Sequence, residues 1–81
     1  MTVTVRLFAM LRERAGTAEL SAEVPEGWTV AAVESIVVQR HPEISDLLSK
    51  SAVAVNRAYA SRQTVLHDGD ELALIPPVSG G

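Results

Sequence analysis

The 81-residue sequence contains no cysteine and only one lysine, Lys50. Without a thiol, the chain can form no disulfide, no thiolate metal site and no cysteine nucleophile. The net charge is −3 and the six arginines are scattered, so we expect no basic groove for nucleic acid. No apolar run approaches the roughly 18 residues of a membrane span, and the first residues alternate like a strand instead of forming a signal peptide. We therefore expect a cytoplasmic protein with no membrane partner.

Arrangements for side-chain catalysis are also missing from the sequence. Neither His41 nor His67 has a serine partner at a recognisable spacing, and there is no glycine-rich phosphate loop. Residues 67–71 collect four potential metal ligands, but they lack the spacing of a calcium loop, and a solvated turn accounts for the same residue types. We expect no metal site and no catalytic side chain.

The composition is that of one folded domain, with 47% hydrophobic and 21% charged residues. Alternation of apolar and polar residues and short apolar runs predict five strands. The predicted strands span residues 2–8, 19–24, 52–56, 65–66 and 71–75.

One main helix is predicted to begin after Thr29, whose hydroxyl suits an N-cap. It should end near His41, because Pro42 disfavours helical backbone in the residue before it. Shorter helical segments are predicted over residues 9–15 and around 44–48. This order of elements predicts an α+β roll, a mixed sheet of four to five strands packed on one main helix.

The first and last strands can be parallel neighbours, because a long connection containing the helix separates them. If Val3, Val5 and Leu7 point inward, Phe8 points outward, and inward Leu72 and Leu74 likewise place Ala73 and Ile75 outward. Phe8 and Ile75 are then expected at the same end of the sheet.

Two consecutive glycines end the sequence. At an average glycine content of about 7%, such a pair at a terminus arises by chance in only about one chain in 200. A Gly-Gly tail can thread a narrow channel, and two prolines upstream hold its start extended for a reach of roughly 20 Å. We expect a domain over residues 1–77, a flexible tail over residues 78–81 and chemistry at the Gly81 carboxylate. The segment consists of Pro76, Pro77, Val78, Ser79, Gly80 and Gly81.

Several motifs of this chain occur together in one family. The specific ones are Asp68-Gly69-Asp70-Glu71 and the terminal Pro76-Pro77-Val78-Ser79-Gly80-Gly81; weaker ones are Leu7-Phe8-Ala9, Arg12-Glu13, Gly16 and Val55-Asn56. On these residues the chain resembles the small subunit of molybdopterin synthase, a sulfur carrier with the ubiquitin-like β-grasp fold. The resemblance runs over the whole length.

The resemblance implies a role for the tail. An adenylyltransferase similar to ubiquitin-activating enzymes would use ATP and magnesium to form a glycyl adenylate at Gly81. A sulfur donor such as a cysteine desulfurase or a rhodanese would convert it to 1-thioglycine, a thiocarboxylate. In the large synthase subunit, this sulfur would pass to cyclic pyranopterin monophosphate during molybdenum cofactor biosynthesis.

The resemblance also implies how the subunits assemble. Two small and two large subunits would form a heterotetramer, with the catalytic site in the large subunit and no permanent cofactor in this chain. Phe8, Tyr59 and Ile75 would form the docking surface.

Three alternatives remain from the sequence. A carrier for thiamine thiazole synthesis would use the same activation chemistry. A ubiquitin-like protein modifier would form isopeptide bonds between Gly81 and lysines of its targets. A plain interaction domain would carry the tail incidentally.

Overall fold

The computed structural model describes residues 1–78. Its elements, in chain order, are β1 (Thr2–Leu7), α1 (Ala9–Ala15), β2 (Glu19–Glu23), α2 (Val30–Arg40), a 3-10 turn (Pro42–Ile44), α3 (Ser45–Ser49), β3 (Ala52–Val55), β4 (Ala58–Ala60) and β5 (Glu71–Ile75). Within this range the strands form one mixed sheet in the order β2-β1-β5-β3-β4. The predicted α+β class, with a five-stranded sheet, is confirmed.

The centre of the sheet is the parallel pair of β1 and β5, in which Val5 lies opposite Leu72 and Leu7 opposite Leu74. β2 is antiparallel to β1, and β3 is antiparallel to both β5 and β4. Because β1 and β5 run in the same direction, both end at the same edge of the domain. The predicted parallel pairing is confirmed.

The main helix, α2, starts and stops where the sequence predicts. The Ala32 N–H donates to Thr29 Oγ1 at 3.3 Å, and His41 is the C-cap. The β-branched residues in α2 lower its helix propensity, but burial of its apolar face compensates. That face packs on the inner face of the sheet in a core that includes Val3, Val5, Val30, Val33, Val37, Leu72 and Leu74.

The predicted strand at residues 65–66 is wrong. Val65 makes one isolated bridge, to Thr29. The Val30 N–H donates to Thr64 O and the Leu66 N–H to Trp28 O, so this segment satisfies its backbone at the start of α2 and not in the sheet. The additional strand is β4, directly after the turn that ends β3.

α2 has 11 residues and is the longest helix of the described chain. No helix within residues 1–78 is both long and apolar enough to span a bilayer.

Candidate functional site

The face of the sheet opposite α2 contains an open hollow of about 370 Å³. Its walls come from the end of β1, from the β3–β4 hairpin and from β5. The lining residues are Arg6, Phe8, Ala54, Arg57, Tyr59, Glu71, Ala73 and Ile75. The three residues that the sequence analysis assigns to a docking surface are therefore brought together, while their role in binding stays a prediction.

Phe8 is held at the end of β1 by the start of α1. Its extended backbone caps this helix, and its carbonyl oxygen accepts the Leu11 N–H at 3.1 Å. The next residue, Ala9, turns the chain with a positive φ of 49°. The Arg6 guanidinium lies 5.5 Å from the centre of the Phe8 ring, within the range of a cation–π contact. The ring therefore has a defined place at the rim of the hollow.

Tyr59 and Ile75 complete the apolar wall. Tyr59 lies in the middle of β4, and 79% of its surface is exposed. Ile75 is the last residue of β5 and is half-buried. An exposed aromatic residue beside other apolar side chains is typical of a protein interface.

Two alanines form the floor of the hollow. Ala54 of β3 lies directly opposite Ala73 of β5, and both are buried although they point away from α2. Their small side chains leave space between larger neighbours, which an incoming apolar side chain could fill. The residue parity of β5 predicts Ala73 on this face, but the floor was not predicted from the sequence. Alanines at the outward positions of paired strands are the signal that could have revealed it.

The tail begins beside this hollow. Pro76 follows Ile75 directly and is half-buried, whereas Pro77 and Val78 are exposed, Val78 to 94%. The remaining predicted site residues lie outside the described range; they are Ser79, Gly80 and Gly81. The structure therefore positions the start of the tail and leaves its reactive end as a prediction.

The Asp-Gly-Asp-Glu motif shapes the hairpins around the hollow. Asn56 Nδ2 donates to Asp70 Oδ1 at 2.9 Å, and Asn56 Oδ1 accepts the Glu71 N–H at 3.0 Å. Asp70 Oδ2 also accepts the His67 N–H, and Asp68 Oδ1 accepts the Thr2 N–H. These carboxylates join turns of the fold to one another. We call the contacts among Asn56, Asp70 and Glu71 the hairpin latch.

The latch changes the pKa of Asp70. Burial alone raises this pKa, but the hydrogen bonds from Asn56 and from the His67 N–H, with the nearby His67 ring, outweigh burial. The net pKa is below its usual value. The carboxylate is thus held in its ionised form.

Within residues 1–78, no group of three or more His, Asp or Glu side chains is arranged to hold a metal ion. His41 Nδ1 lies 3.2 Å from Glu43 Oε2, and His67 Nδ1 lies 3.9 Å from Asp70 Oδ2. These histidines pair with nearby carboxylates in their own turns.

A second polar cluster lies on the helical side of the domain, in a groove between α2 and α3. Arg62 Nε donates to Glu34 Oε1 at 2.9 Å, and Arg62 Nη2 donates to the carbonyls of Leu48 and Ser51. Burial raises the pKa of Glu34 more than Arg62 lowers it, so its net pKa is above the usual value. This cluster, which we call the Arg62 pin, was not predicted from the sequence.

Comparison with known proteins gives a consistent result. The model of the ThiS family matches residues 5–81. The molybdopterin synthase sulfur carrier subunit of Chlamydomonas reinhardtii is 35% identical over 83 aligned residues, covering 100% of both chains.

Solved structures agree with the sequence comparison. SAMP1 of Haloferax volcanii, a small archaeal modifier protein, superposes with a TM-score of 0.90 at 32% identity over 100% of both chains. Subunit 1 in the complex of subunits 1 and 2 of the molybdopterin-converting factor from Helicobacter pylori gives a TM-score of 0.73 at 27% identity, again over 100% of both chains. These neighbours confirm the ubiquitin-like β-grasp fold.

Proposed function

The chain belongs to the ThiS family, and we propose that it is the sulfur-carrying small subunit of a molybdopterin synthase. The observation that carries this proposal is the placement of the tail. β5 ends at Ile75, on the wall of the apolar hollow, and the Pro-Pro segment leaves from that point. A partner that covers the hollow would therefore receive the tail at a fixed distance from its own surface.

The proposed chemistry takes place at the Gly81 carbonyl carbon. A carboxylate is a poor electrophile until one oxygen becomes part of a good leaving group, which the AMP of a glycyl adenylate provides. The persulfide of the sulfur donor attacks this carbon, forms a C–S bond and expels AMP. A thiol then cleaves the S–S bond of the resulting acyl disulfide, forms a disulfide with the donor cysteine and releases the thiocarboxylate, a nucleophile that needs no neighbouring base. ATP and magnesium belong to the activating enzyme in this scheme. The large subunit supplies the cations and general acids for sulfur transfer.

Docking in this proposal uses Phe8, Tyr59 and Ile75 as the apolar contact for the large subunit. Fully burying a large apolar side chain contributes roughly 1.5–3 kcal/mol, so three such residues can anchor a specific complex. Once the domain is docked, the tail needs only to search the short distance that its six residues span. The complex of subunits 1 and 2 of the molybdopterin-converting factor from H. pylori supports pairing of such a small subunit with a partner subunit.

The length of the tail tests the proposal. Deleting Gly81, or adding one residue after it, is expected to abolish sulfur loading, because productive attack requires the carbonyl carbon to be positioned within about an ångström. The measurement is intact mass after co-expression with the activating enzyme and a sulfur donor. The wild-type chain should show one oxygen replaced by sulfur, and the altered chains should show no change.

Thermal unfolding of the same chains is the control, and the midpoint should stay the same because the described core contains no residue beyond Leu74. Normal loading of the extended chain would refute the proposed role of Gly81.

A protein modifier is the second candidate, favoured by the close superposition on SAMP1. The activated Gly81 would then form an isopeptide bond with a lysine amine, with AMP as the leaving group. A second copy of this chain would offer only Lys50 as its lysine acceptor. The same mass measurement separates the candidates, because a modifier yields target-sized adducts instead of the sulfur shift.

A further inference from the structure

The turn between β3 and β4 holds an arginine in an unfavourable backbone conformation. Its two central residues, Asn56 and Arg57, have φ values of 50° and 71°. Hairpin turns with two positive φ values favour Asn followed by Gly, because a Cβ disfavours the left-handed region. Asn56 fits this preference, and Arg57 does not.

Contacts within the fold explain why an asparagine occupies position 56, but they do not explain why an arginine occupies position 57. Asn56 belongs to the hairpin latch through both of its side-chain polar atoms. Arg57 is exposed, and it makes no side-chain hydrogen bond or ion pair with any residue of the described chain. The pairing of β3 with β4 holds the turn closed, but no side-chain contact of Arg57 within residues 1–78 explains why an arginine occupies this position.

Arg57 lies on the wall of the hollow, close to where a partner would dock. The other arginine of the hollow, Arg6, is 3.7 Å from Glu71 and stacks on Phe8. Arg57 thus contributes a positive charge without a partner among residues 1–78, in a chain with a net charge of −3. The hollow presents an apolar wall with one available guanidinium at its edge.

We propose that Arg57 is a specificity-determining residue, which pairs with a carboxylate on the partner surface that covers the hollow beside Tyr59. A guanidinium can donate two parallel N–H groups to one carboxylate, a geometry that lysine and neutral side chains do not reproduce. The occupant is the large synthase subunit, so this inference rests on the proposed function. The large subunit would then place an acidic side chain next to the apolar group that enters the hollow.

Substitution by glycine separates stability from recognition. Arg57→Gly removes the guanidinium and also the backbone strain, so its thermal midpoint should equal or exceed that of the wild type. Its affinity for the large subunit, measured by isothermal titration, should nevertheless fall about tenfold. Arg57→Glu should bind about a hundredfold more weakly, because it places like charges together. Arg57→Lys should lie between the wild type and Arg57→Gly.

Salt provides an independent measurement. Raising the ionic strength from about 0.05 to 0.5 M should weaken wild-type binding, since it screens the exposed pair. The Arg57→Gly chain should respond less to salt than the wild type.

Arg40→Glu is the matched control for Arg57→Glu. Both substitutions change the net charge by the same amount, but Arg40 lies at the end of α2, on the other side of the sheet. Arg40→Glu should bind like the wild type.

Tyr59→Ala separates failure of this inference from failure of the proposed function. If Tyr59→Ala weakens binding while Arg57→Glu does not, the docking surface stands and the role of Arg57 is refuted. Equal losses in Arg57→Glu and Arg40→Glu would also refute it, because overall charge would then be the cause. A wild-type chain that does not bind the large subunit would overturn the proposed function and this inference together.

Discussion

At the scale of single residues, the hairpin latch shows how one side chain can organise two turns. The Asn56 side chain donates one hydrogen bond and accepts another, and asparagine also tolerates the left-handed backbone that this turn requires. The sequence pair Val55-Asn56 and the Asp-Gly-Asp-Glu motif were both recognised from the sequence. Their contact was not predicted, because 14 residues separate Asn56 from Asp70 and the antiparallel pairing of β3 with β5 brings them together.

Asn56→Gly is expected to destabilise the domain by about 1–3 kcal/mol. Glycine suits the positive φ, so the loss comes from the two latch hydrogen bonds, each contributing about 0.5–1.5 kcal/mol. Urea unfolding measures this loss of stability. Arg57→Gly is the matched control in the same turn, and it should not destabilise. Equal effects at the two positions would show that the latch contributes nothing.

The latch also makes stability depend on pH. Because the pKa of Asp70 is lowered in the folded chain, the unfolded chain binds more protons just below the ordinary aspartate pKa of about 3.9. The stabilisation is complete above that pH and is lost as the pH falls through the folded pKa. This acid-dependent loss should be smaller in Asn56→Gly, which lacks the hydrogen bond to Asp70 Oδ1.

At the scale of elements, the Arg62 pin joins three segments that the sheet does not connect. Its guanidinium links the side chain of α2 residue Glu34 to Leu48 at the end of α3 and to Ser51 before β3. Arg62 precedes the segment, residues 65–66, that was predicted from the sequence to be a strand. Backbone hydrogen bonds to the start of α2 and this pin hold the segment beside the helix instead.

Some elements of this fold are specified locally and others are not. α2 was predictable because its N-cap, its apolar spacing and the following proline are all in the local sequence. β4 was missed because Ala58-Tyr59-Ala60 is only three residues long and has no clear apolar alternation. The pin was missed because its partners, Glu34, Leu48 and Ser51, are 28, 14 and 11 residues distant in sequence. Only packing of α2 on the sheet brings them together.

Arg62→Ala is expected to lower the free energy of unfolding by about 2–3 kcal/mol, less than for a fully buried pair because Arg62 is partly exposed. The loss arises because Glu34 remains buried without its charge partner. Adding Glu34→Gln should recover part of the stability, since no buried charge remains. If the double variant is no more stable than Arg62→Ala in urea unfolding, burial of the Glu34 charge is not the cause.

The pH dependence of Arg62→Ala gives a second reading of the pin. Burial raises the pKa of Glu34, and removing the arginine should raise it further, because both effects that lower it are lost. A carboxyl group with a raised folded pKa favours folding at low pH, and this stabilisation is lost as the pH rises through that pKa. The loss of stability caused by Arg62→Ala, measured against the wild type, should therefore be smaller at about pH 5 than at about pH 7.

At the scale of the whole molecule, the sheet has two faces with different tasks. The inner face packs on α2 and carries Leu72 and Leu74, which are fully buried. The outer face carries the hollow, and Ile75 on its wall is followed by the tail. The residue parity of β1 and β5 was enough to assign Phe8 and Ile75 to the outer face from sequence. Stability and partner recognition should consequently be separable by substitutions at adjacent positions of one strand.

Leu74 and Ile75 provide this test because they are neighbours in β5 on opposite faces. Leu74→Ala should lower the free energy of unfolding by about 2–5 kcal/mol, since it leaves a cavity in the core. Ile75→Asp and Phe8→Ala remove half-buried side chains and should change stability by less than about 1 kcal/mol. Both should weaken binding to the large subunit about ten- to a hundredfold, because each removes roughly 1.5–3 kcal/mol of apolar burial in the complex.

Thermal unfolding and isothermal titration on the same samples decide whether the faces are independent. Leu74→Ala, studied below its lowered midpoint, should bind with nearly wild-type affinity, because its side chain does not reach the outer face. Ile75→Asp and Phe8→Ala should show the reverse combination, a normal midpoint and weak binding. Unchanged affinity in both would remove the hollow from partner recognition and leave the tail as the recognised element. A large loss of stability in both would instead mean that Phe8 and Ile75 belong to the core, which their partial exposure and their place on the wall of the hollow argue against.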